Sequence, residues 1–102
     1  MAGYVKVAKA DDVAPGKAIM VEVGGKKIAL FNIGGSFYAI DDACSHRGGP
    51  LSEGYVEETQ VRCPWHGALF DITNGAAAGP PAAAGVTKYN VRVEDSDVEV
   101  EV

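Results

Sequence analysis

The chain is short of positive charge and has no long apolar segment. It carries 9 lysines and arginines against 14 acidic residues, which gives a formal net charge of −5 at pH 7. This balance argues against non-specific binding to nucleic acids and against docking on anionic membranes. No apolar run approaches the ~20 residues that span a bilayer, and the N-terminal MAGYVKVAKADD lacks an apolar signal region and a twin-arginine motif. We therefore expect a cytoplasmic monomer with no membrane or nucleic-acid partner.

Common catalytic signatures are missing as well. The sequence contains no phosphate-binding loop, no G-x-G-x-x-G motif for dinucleotides and no recognisable nucleophile–base pair. These absences point away from catalysis by the chain itself. Its 102 residues fit a single domain, residues 1–102.

Sustained helical periodicity is also absent, and short alternating segments separated by turns take its place. Ala18–Val23 and Lys26–Ile33 are strand-like, and Gly24-Gly25 between them predicts a tight hairpin because glycine readily adopts positive φ. Gly34-Gly35 predicts a second turn of the same kind. Several short strands with frequent turns indicate an all-β sandwich or barrel.

The last third of the sequence gives two further expectations. Residues 75–85, GAAAGPPAAAG, are predicted as a loop, because prolines and glycines interrupt a helix that alanines alone would favour. VTKYNVRV and VEVEV are predicted as the closing strands, joined by a turn at residues 94–97.

The chain has only two cysteines and two histidines, and all four occur within 23 residues. Cys44 and His46 form a C-x-H pair, sixteen residues follow, and Cys63 and His66 form a C-x-x-H pair. The first alternative is a coincidence, in which two buried cysteines lie beside incidental histidines. The second alternative is a structural zinc ion. A structural zinc ion takes two Cys and two His, but its usual spacings place cysteines with cysteines and histidines with histidines. The third alternative is a [2Fe–2S] cluster with two Cys on one iron and two His on the other.

The residues around these pairs favour the cluster. CSHRGGPLSEG and CPWHGALFD resemble the two cluster-binding loops of soluble Rieske-type [2Fe–2S] ferredoxins, with the specific match at residues 41–72. The resemblance implies that Cys44 and Cys63 bind one iron of a Rieske [2Fe–2S] cluster and that His46 and His66 bind the other. It also implies an antiparallel β-sandwich, with residues 41–72 as an inserted cluster-binding subdomain and strands in 1–40 and 73–102 as the base.

The same comparison predicts the redox potential. High-potential members of the family have a disulfide between the loops, and the matching positions here are Gly49 and Trp65. They also have a Ser and a Tyr that donate hydrogen bonds to cluster sulfurs, where this chain has Ala68 and Phe70. Such hydrogen bonds stabilise the more negative, reduced state, so their absence predicts a potential at the low end of the Rieske range, near about −150 mV.

The resemblance implies a function in electron transfer. The chain is similar to the ferredoxin components of bacterial ring-hydroxylating dioxygenase systems, which carry single electrons from an NAD(P)H-dependent flavin reductase to a terminal oxygenase. Transient contacts at a tip formed by His46 and His66 would serve both partners. Independently of the resemblance, Arg47 and Arg62 are expected to be exposed charges, either of which could meet an acidic partner. The alternatives are the small subunit of an assimilatory nitrite reductase, a component of another monooxygenase or demethylase, and a zinc-bound interaction module.

Overall fold

The computed structural model describes residues 3–43, 49–65, 67–79 and 84–101. Within these ranges the regular structure is β-strand, apart from 3-10 turns at Ala10–Asp12 and Leu51–Glu53. The strands are β1 Tyr4–Lys9, β2 Ala18–Val23, β3 Lys26–Ile33, β4 Ser36–Asp41, β5 Tyr55–Glu57, β6 Gln60–Arg62, β7 Leu69–Asp71, β8 Ala77–Gly79, β9 Lys88–Tyr89, β10 Val91–Glu94 and β11 Asp97–Glu101. All the strand pairs are antiparallel, so the predicted all-β class is confirmed.

The predicted tight turns occur where the glycine pairs placed them. Gly24 and Gly25 have φ of 57° and 79° and close the β2–β3 hairpin. Gly34 and Gly35 close the β3–β4 hairpin with φ of 60° and 94°. Positive φ at both central residues matches the right-handed twist of the flanking strands, and this conformation is open to glycine without a steric penalty.

The base of the molecule consists of two sheets, ordered β1-β11-β10 and β2-β3-β4-β9. The central strand β3 is buried on both faces. Ile28 and Leu30 contribute to one apolar core, which includes residues of β11, whereas Ala29 and Phe31 contribute to a second core. Alternate residues of a strand point to opposite faces, so one strand serves both cores.

The second core joins the base to a third sheet, ordered β5-β6-β7-β8. Val61 of β6 and Phe70 of β7 are paired across the strands, and both pack with Phe31. The connection from β6 to β7 contains Cys63, so the third sheet carries the candidate site at one end.

Two sequence-based expectations need correction. Residues 75–85 are not a loop throughout, because Ala77–Gly79 forms β8 and pairs with Leu69 and Phe70. This pairing supplies hydrogen-bond partners to the backbone groups along one edge of β7. The gain in hydrogen bonding outweighs the weak local preference of alanine. The third sheet therefore extends past residue 72, where the predicted insert ends.

The segment VTKYNVRV is not one strand. It is divided at Asn90, where the chain passes from β9, paired with β4, to β10, paired with β11. The Asn90 side-chain amide donates to Oε1 of Glu101 at 2.8 Å, and the Asn90 carbonyl accepts from the Glu101 amide at 2.9 Å. Asn90 thus satisfies hydrogen bonds at the crossing between sheets.

No helix among the described residues is long and apolar enough to cross a membrane.

Candidate metal centre

The four predicted ligands are divided between described and undescribed residues. Cys63 lies in the described part of the chain, whereas Cys44, His46 and His66 lie outside it. The structure does describe the residues that flank them on both sides. These flanks belong to two stretches, called here the first stretch (residues 43–50) and the second stretch (residues 63–68).

The two ends of the first stretch are held together. Ala43 and Pro50 form an isolated antiparallel bridge, and the Leu51 amide donates to the Asp42 carbonyl at 2.7 Å. Asp42 also accepts the Ser52 amide on its carboxylate Oδ1 at 2.8 Å. The Asp42 amide donates in turn to the carbonyl of Lys27 in β3 at 3.0 Å. The base of the first stretch is therefore fixed to the central strand.

Asp42 is a buried carboxylate, with 7% of its surface exposed. Burial of an ionised carboxylate is unfavourable unless hydrogen bonds compensate for the lost water. The Ser52 amide supplies such a bond across the base of the first stretch. No sequence pattern marks this residue, since the sequence around it shows only two consecutive aspartates at the end of a strand.

The second stretch connects two paired strands and is closed by the backbone. The Cys63 amide donates to the Ala68 carbonyl at 2.7 Å, next to the paired residues Arg62 and Leu69. Gly67 has φ of 75°, a left-handed conformation that favours glycine. The turn at Gly67 thus brings Ala68 back alongside Cys63.

Arg62 reaches across this turn. Its Nη1 donates to the Gly67 carbonyl at 3.1 Å, and the side chain is partly buried. The expectation of a simple exposed charge was therefore wrong. A hydrogen bond from a side chain to a carbonyl five residues away could not be read from the sequence pattern.

The Cys63 sulfur lies in a site suited to a thiolate ligand. Cys63 is 1% exposed, and the Trp65 amide points at its Sγ with a nitrogen–sulfur distance of 3.4 Å. An N–H donor near sulfur stabilises negative charge on it, and such donors are the usual second layer of interactions around a metal-bound thiolate. The candidate metal ligand is therefore a buried sulfur that has a backbone amide directed at it.

Gly49 brings the first stretch against this sulfur. A Cβ atom at position 49 would lie 2.6 Å from Cys63 Sγ, closer than real Cβ contacts, and 3.0 Å from Cγ of Trp65, which is a very tight contact. Only a residue without a side chain fits there unless the neighbours move. Gly49, at the described end of the first stretch, therefore meets the second stretch at the Cys63 sulfur.

Trp65 lies over Gly49 with half of its surface, 50%, exposed. One part of the indole covers the backbone next to the sulfur, and the other part faces solvent.

Positions 68 and 70, where the resemblance implies hydroxyl groups in high-potential members of the family and this chain has none, are buried close to the site. Ala68 and Phe70 are fully buried and belong to the same core as Cys63. Neither side chain can donate a hydrogen bond to sulfur, whereas the Trp65 amide does so.

The arrangement as described fits the sulfur side of an iron–sulfur centre. Cysteine thiolates hold such clusters, and amides directed at their sulfurs tune them. In the described residues no group of three or more His, Cys, Asp and Glu side chains could hold a metal ion by itself. Of the four predicted ligands, Cys63 is the one that these ranges include.

Comparison with known proteins gives the family. Residues 3–90 match the family described as Rieske [2Fe-2S] domain. The chain is 45% identical over 92 residues to the 3-phenylpropionate/cinnamic acid dioxygenase ferredoxin subunit of Shigella boydii, covering 89% of this chain and 86% of that protein.

Solved structures agree with this relation. The ferredoxin of carbazole 1,9a-dioxygenase from Nocardioides aromaticivorans IC177 matches with a TM-score of 0.92 and 31% identity, covering 95% of each chain. A chain in the complex of reduced oxygenase and oxidized ferredoxin of carbazole 1,9a-dioxygenase matches with a TM-score of 0.89 and 34% identity, covering 95% of this chain and 91% of that one. The fold, the buried Cys63 sulfur and these relatives lead to one conclusion: this chain belongs to the Rieske [2Fe–2S] domain family, whose cofactor is a Rieske-type [2Fe–2S] cluster.

Proposed function

We propose that this protein is the ferredoxin component of an aromatic-ring dioxygenase system. It receives single electrons from an NAD(P)H-dependent flavin reductase and delivers them to a terminal oxygenase. The observation that carries the proposal is the Cys63 sulfur, buried under Trp65 and Gly49 and facing an amide donor. Relatives that match most of this chain and are named as dioxygenase ferredoxins support the same role.

The proposed ligands are the four residues singled out in the sequence. Cys44 and Cys63 hold one iron, and His46 and His66 hold the other. A bound [2Fe–2S] cluster of this type accepts and releases one electron at potentials of about −150 to +300 mV. The chain itself holds the ends of the first stretch together through Asp42 and directs the Trp65 amide at the Cys63 sulfur.

The proposed partners dock near the second stretch. A relative of known structure forms a complex with its oxygenase, which supports an oxygenase as electron acceptor. Contacts at the tip formed by His46 and His66, with exposed Trp65 beside them, should be small and transient, because a shuttle must leave each partner quickly. Two further parts of the proposal are that the protein works as a monomer and that it works in the cytoplasm.

Absorption and EPR spectra of the purified protein, before and after dithionite, test the cofactor. We expect a reddish-brown protein that bleaches on reduction and develops a rhombic signal with an average g below that of all-Cys clusters. Cys63→Ser and His66→Ala variants should lose or alter this signal. A colourless protein with stoichiometric zinc, and no cluster after anaerobic reconstitution, would overturn the proposal.

A second experiment tests the partners. The reduced protein should be reoxidised by a dioxygenase oxygenase component with substrate and O2, and re-reduced by a flavin reductase with NADH. A cluster that is reduced normally but transfers electrons instead to a siroheme nitrite reductase would assign the protein to that system.

A further inference from the structure

We propose that Arg62 is a positioning residue for the second stretch, and that its positive charge favours the reduced state of the centre. The inference rests on the proposed assignment of Cys63 and His66 as ligands. It concerns a residue that neither the ligand set nor the resemblance singles out.

Geometry places the guanidinium within the second stretch. Arg62 directly precedes Cys63, and its Nη1 donates to the carbonyl of Gly67, the residue after His66. A Cβ atom at Gly67 would lie 3.6 Å from Nη1 and 4.0 Å from Cδ of Arg62, so the side chain lies along the bare Cα of this glycine. Arg62 thus reaches from the residue before Cys63 to Gly67 at the far end of the turn.

This bond supplements the backbone closure of the stretch. The Cys63 amide already donates to the Ala68 carbonyl, and the Arg62 bond fixes the neighbouring carbonyl of Gly67. Gly67 has a positive φ and few conformational limits of its own. A side chain that holds its carbonyl therefore restricts the peptide between Gly67 and Ala68.

The charge of Arg62 has no acidic partner among the described residues. The ion pairs found there join Lys6 with Asp97 and Arg92 with Glu99. Reduction adds one electron, and therefore one negative charge, to the site without making or breaking a covalent bond. A nearby positive charge that no carboxylate compensates stabilises that added charge. Because Arg62 is only partly buried, salt should weaken this effect.

Midpoint potentials of the loaded protein test the charge. Arg62→Met should lower the equilibrium constant for reduction by three- to tenfold, where tenfold corresponds to about 59 mV for one electron. The shift should shrink at high ionic strength. Arg62→Lys should stay near the wild-type potential because it keeps the charge. Arg92→Met, which removes the same charge from β10, is the matched control and should leave the potential unchanged.

The rate of iron loss to a chelator tests the positioning. Arg62→Lys and Arg62→Met should both lose iron faster than the wild type, because neither side chain offers the same planar donor to the Gly67 carbonyl. Equal potentials in the wild type and Arg62→Met, or an equal shift in Arg92→Met, would overturn the charge effect. Iron loss from Arg62→Lys at the wild-type rate would overturn the positioning.

Cluster binding by the wild type distinguishes failure of this inference from failure of the proposed function. If the wild type binds no cluster, the proposed function fails. If the wild type binds a cluster and the Arg62 variants behave like it, only the inference fails. Should Arg62→Met not load, Arg62→Gln takes its place, since it removes the charge while retaining a side-chain amide donor.

Discussion

Gly49 and Cys63, fourteen positions apart in the sequence, lie so close that a Cβ atom on the glycine would come within 2.6 Å of the cysteine sulfur. This contact joins the two stretches that carry the predicted ligands. It explains why a residue without a side chain stands at position 49, and it makes this position a sensitive probe of the site.

Gly49→Ala should lower the iron content of the purified protein and its thermal stability. The added methyl group must displace the Cys63 sulfur or the Trp65 ring, and overpacking of this kind costs about 1–3 kcal/mol. Iron-to-protein ratio and thermal unfolding measure the effect. Gly3→Ala is the control, because nothing lies within 4 Å of a Cβ atom there. Wild-type iron content in Gly49→Ala would show that the close approach is unimportant.

Ala68→Ser should raise the midpoint potential from a wild-type value near about −150 mV, because the hydroxyl can donate a hydrogen bond to sulfur. Redox titration gives the potential of each protein. Ala29→Ser, at another fully buried alanine of the same core, is the control and should reduce stability without moving the potential. A wild-type midpoint potential well above zero would contradict the attribution of a low potential to the missing hydroxyl groups.

Asp42→Ala should destabilise the protein by about 0.5–1.5 kcal/mol, since it leaves the partly buried Ser52 amide without its side-chain acceptor. Urea unfolding measures the loss. Asp42→Asn keeps a carbonyl oxygen at the same place and should retain more of the stability than Asp42→Ala. If both variants unfold at the same urea concentration as the wild type, this hydrogen bond does not stabilise the base of the first stretch.

Tyr89→Phe should reduce the loss of stability at alkaline pH. Burial, together with the hydrogen bond that its hydroxyl donates to Asp41 at 2.6 Å, raises the pKa of Tyr89 to about 12. In the unfolded chain the group titrates near its ordinary pKa of about 10. The folded state binds the proton more tightly, so its contribution is complete below about pH 10 and is lost as the pH rises toward 12.

Chemical denaturation at pH 8 and between pH 10 and 12 compares the two proteins. The wild type should lose more stability across this interval than Tyr89→Phe. Identical slopes of stability against pH in the two proteins would show that Tyr89 does not contribute to the alkaline transition.

Local sequence patterns predicted much of the fold. The hairpins closed by Gly24-Gly25 and by Gly34-Gly35 could be predicted because positive φ at paired residues is a local requirement. The strand β8 and the break at Asn90 could not be predicted, since both depend on partners elsewhere in the chain. Strand pairing across the sheet overrides the preference of a short alanine segment.

The candidate site shows the same division. The spacing of the cysteines and histidines singled out Cys63, which the structure shows buried, and the assignment of Cys44, His46, Cys63 and His66 as ligands stays a prediction. The contributions of Asp42 and Arg62 had no sequence signature, because each acts through a hydrogen bond to a distant backbone group. Such contacts depend on where the folded chain brings two segments together.

The double burial of β3 has a consequence for how electrons are delivered. Ile28 and Leu30 belong to the core of the base, and Ala29 and Phe31 belong to the core that supports the third sheet. A rotation of the third sheet, which carries the candidate site, relative to the base would have to break the packing on one face of β3. Both faces of β3 are packed. Delivery from donor to acceptor then requires diffusion and reorientation of the whole protein. Solvent viscosity and partner concentration, rather than motion at an internal hinge, should therefore determine the rate of electron delivery.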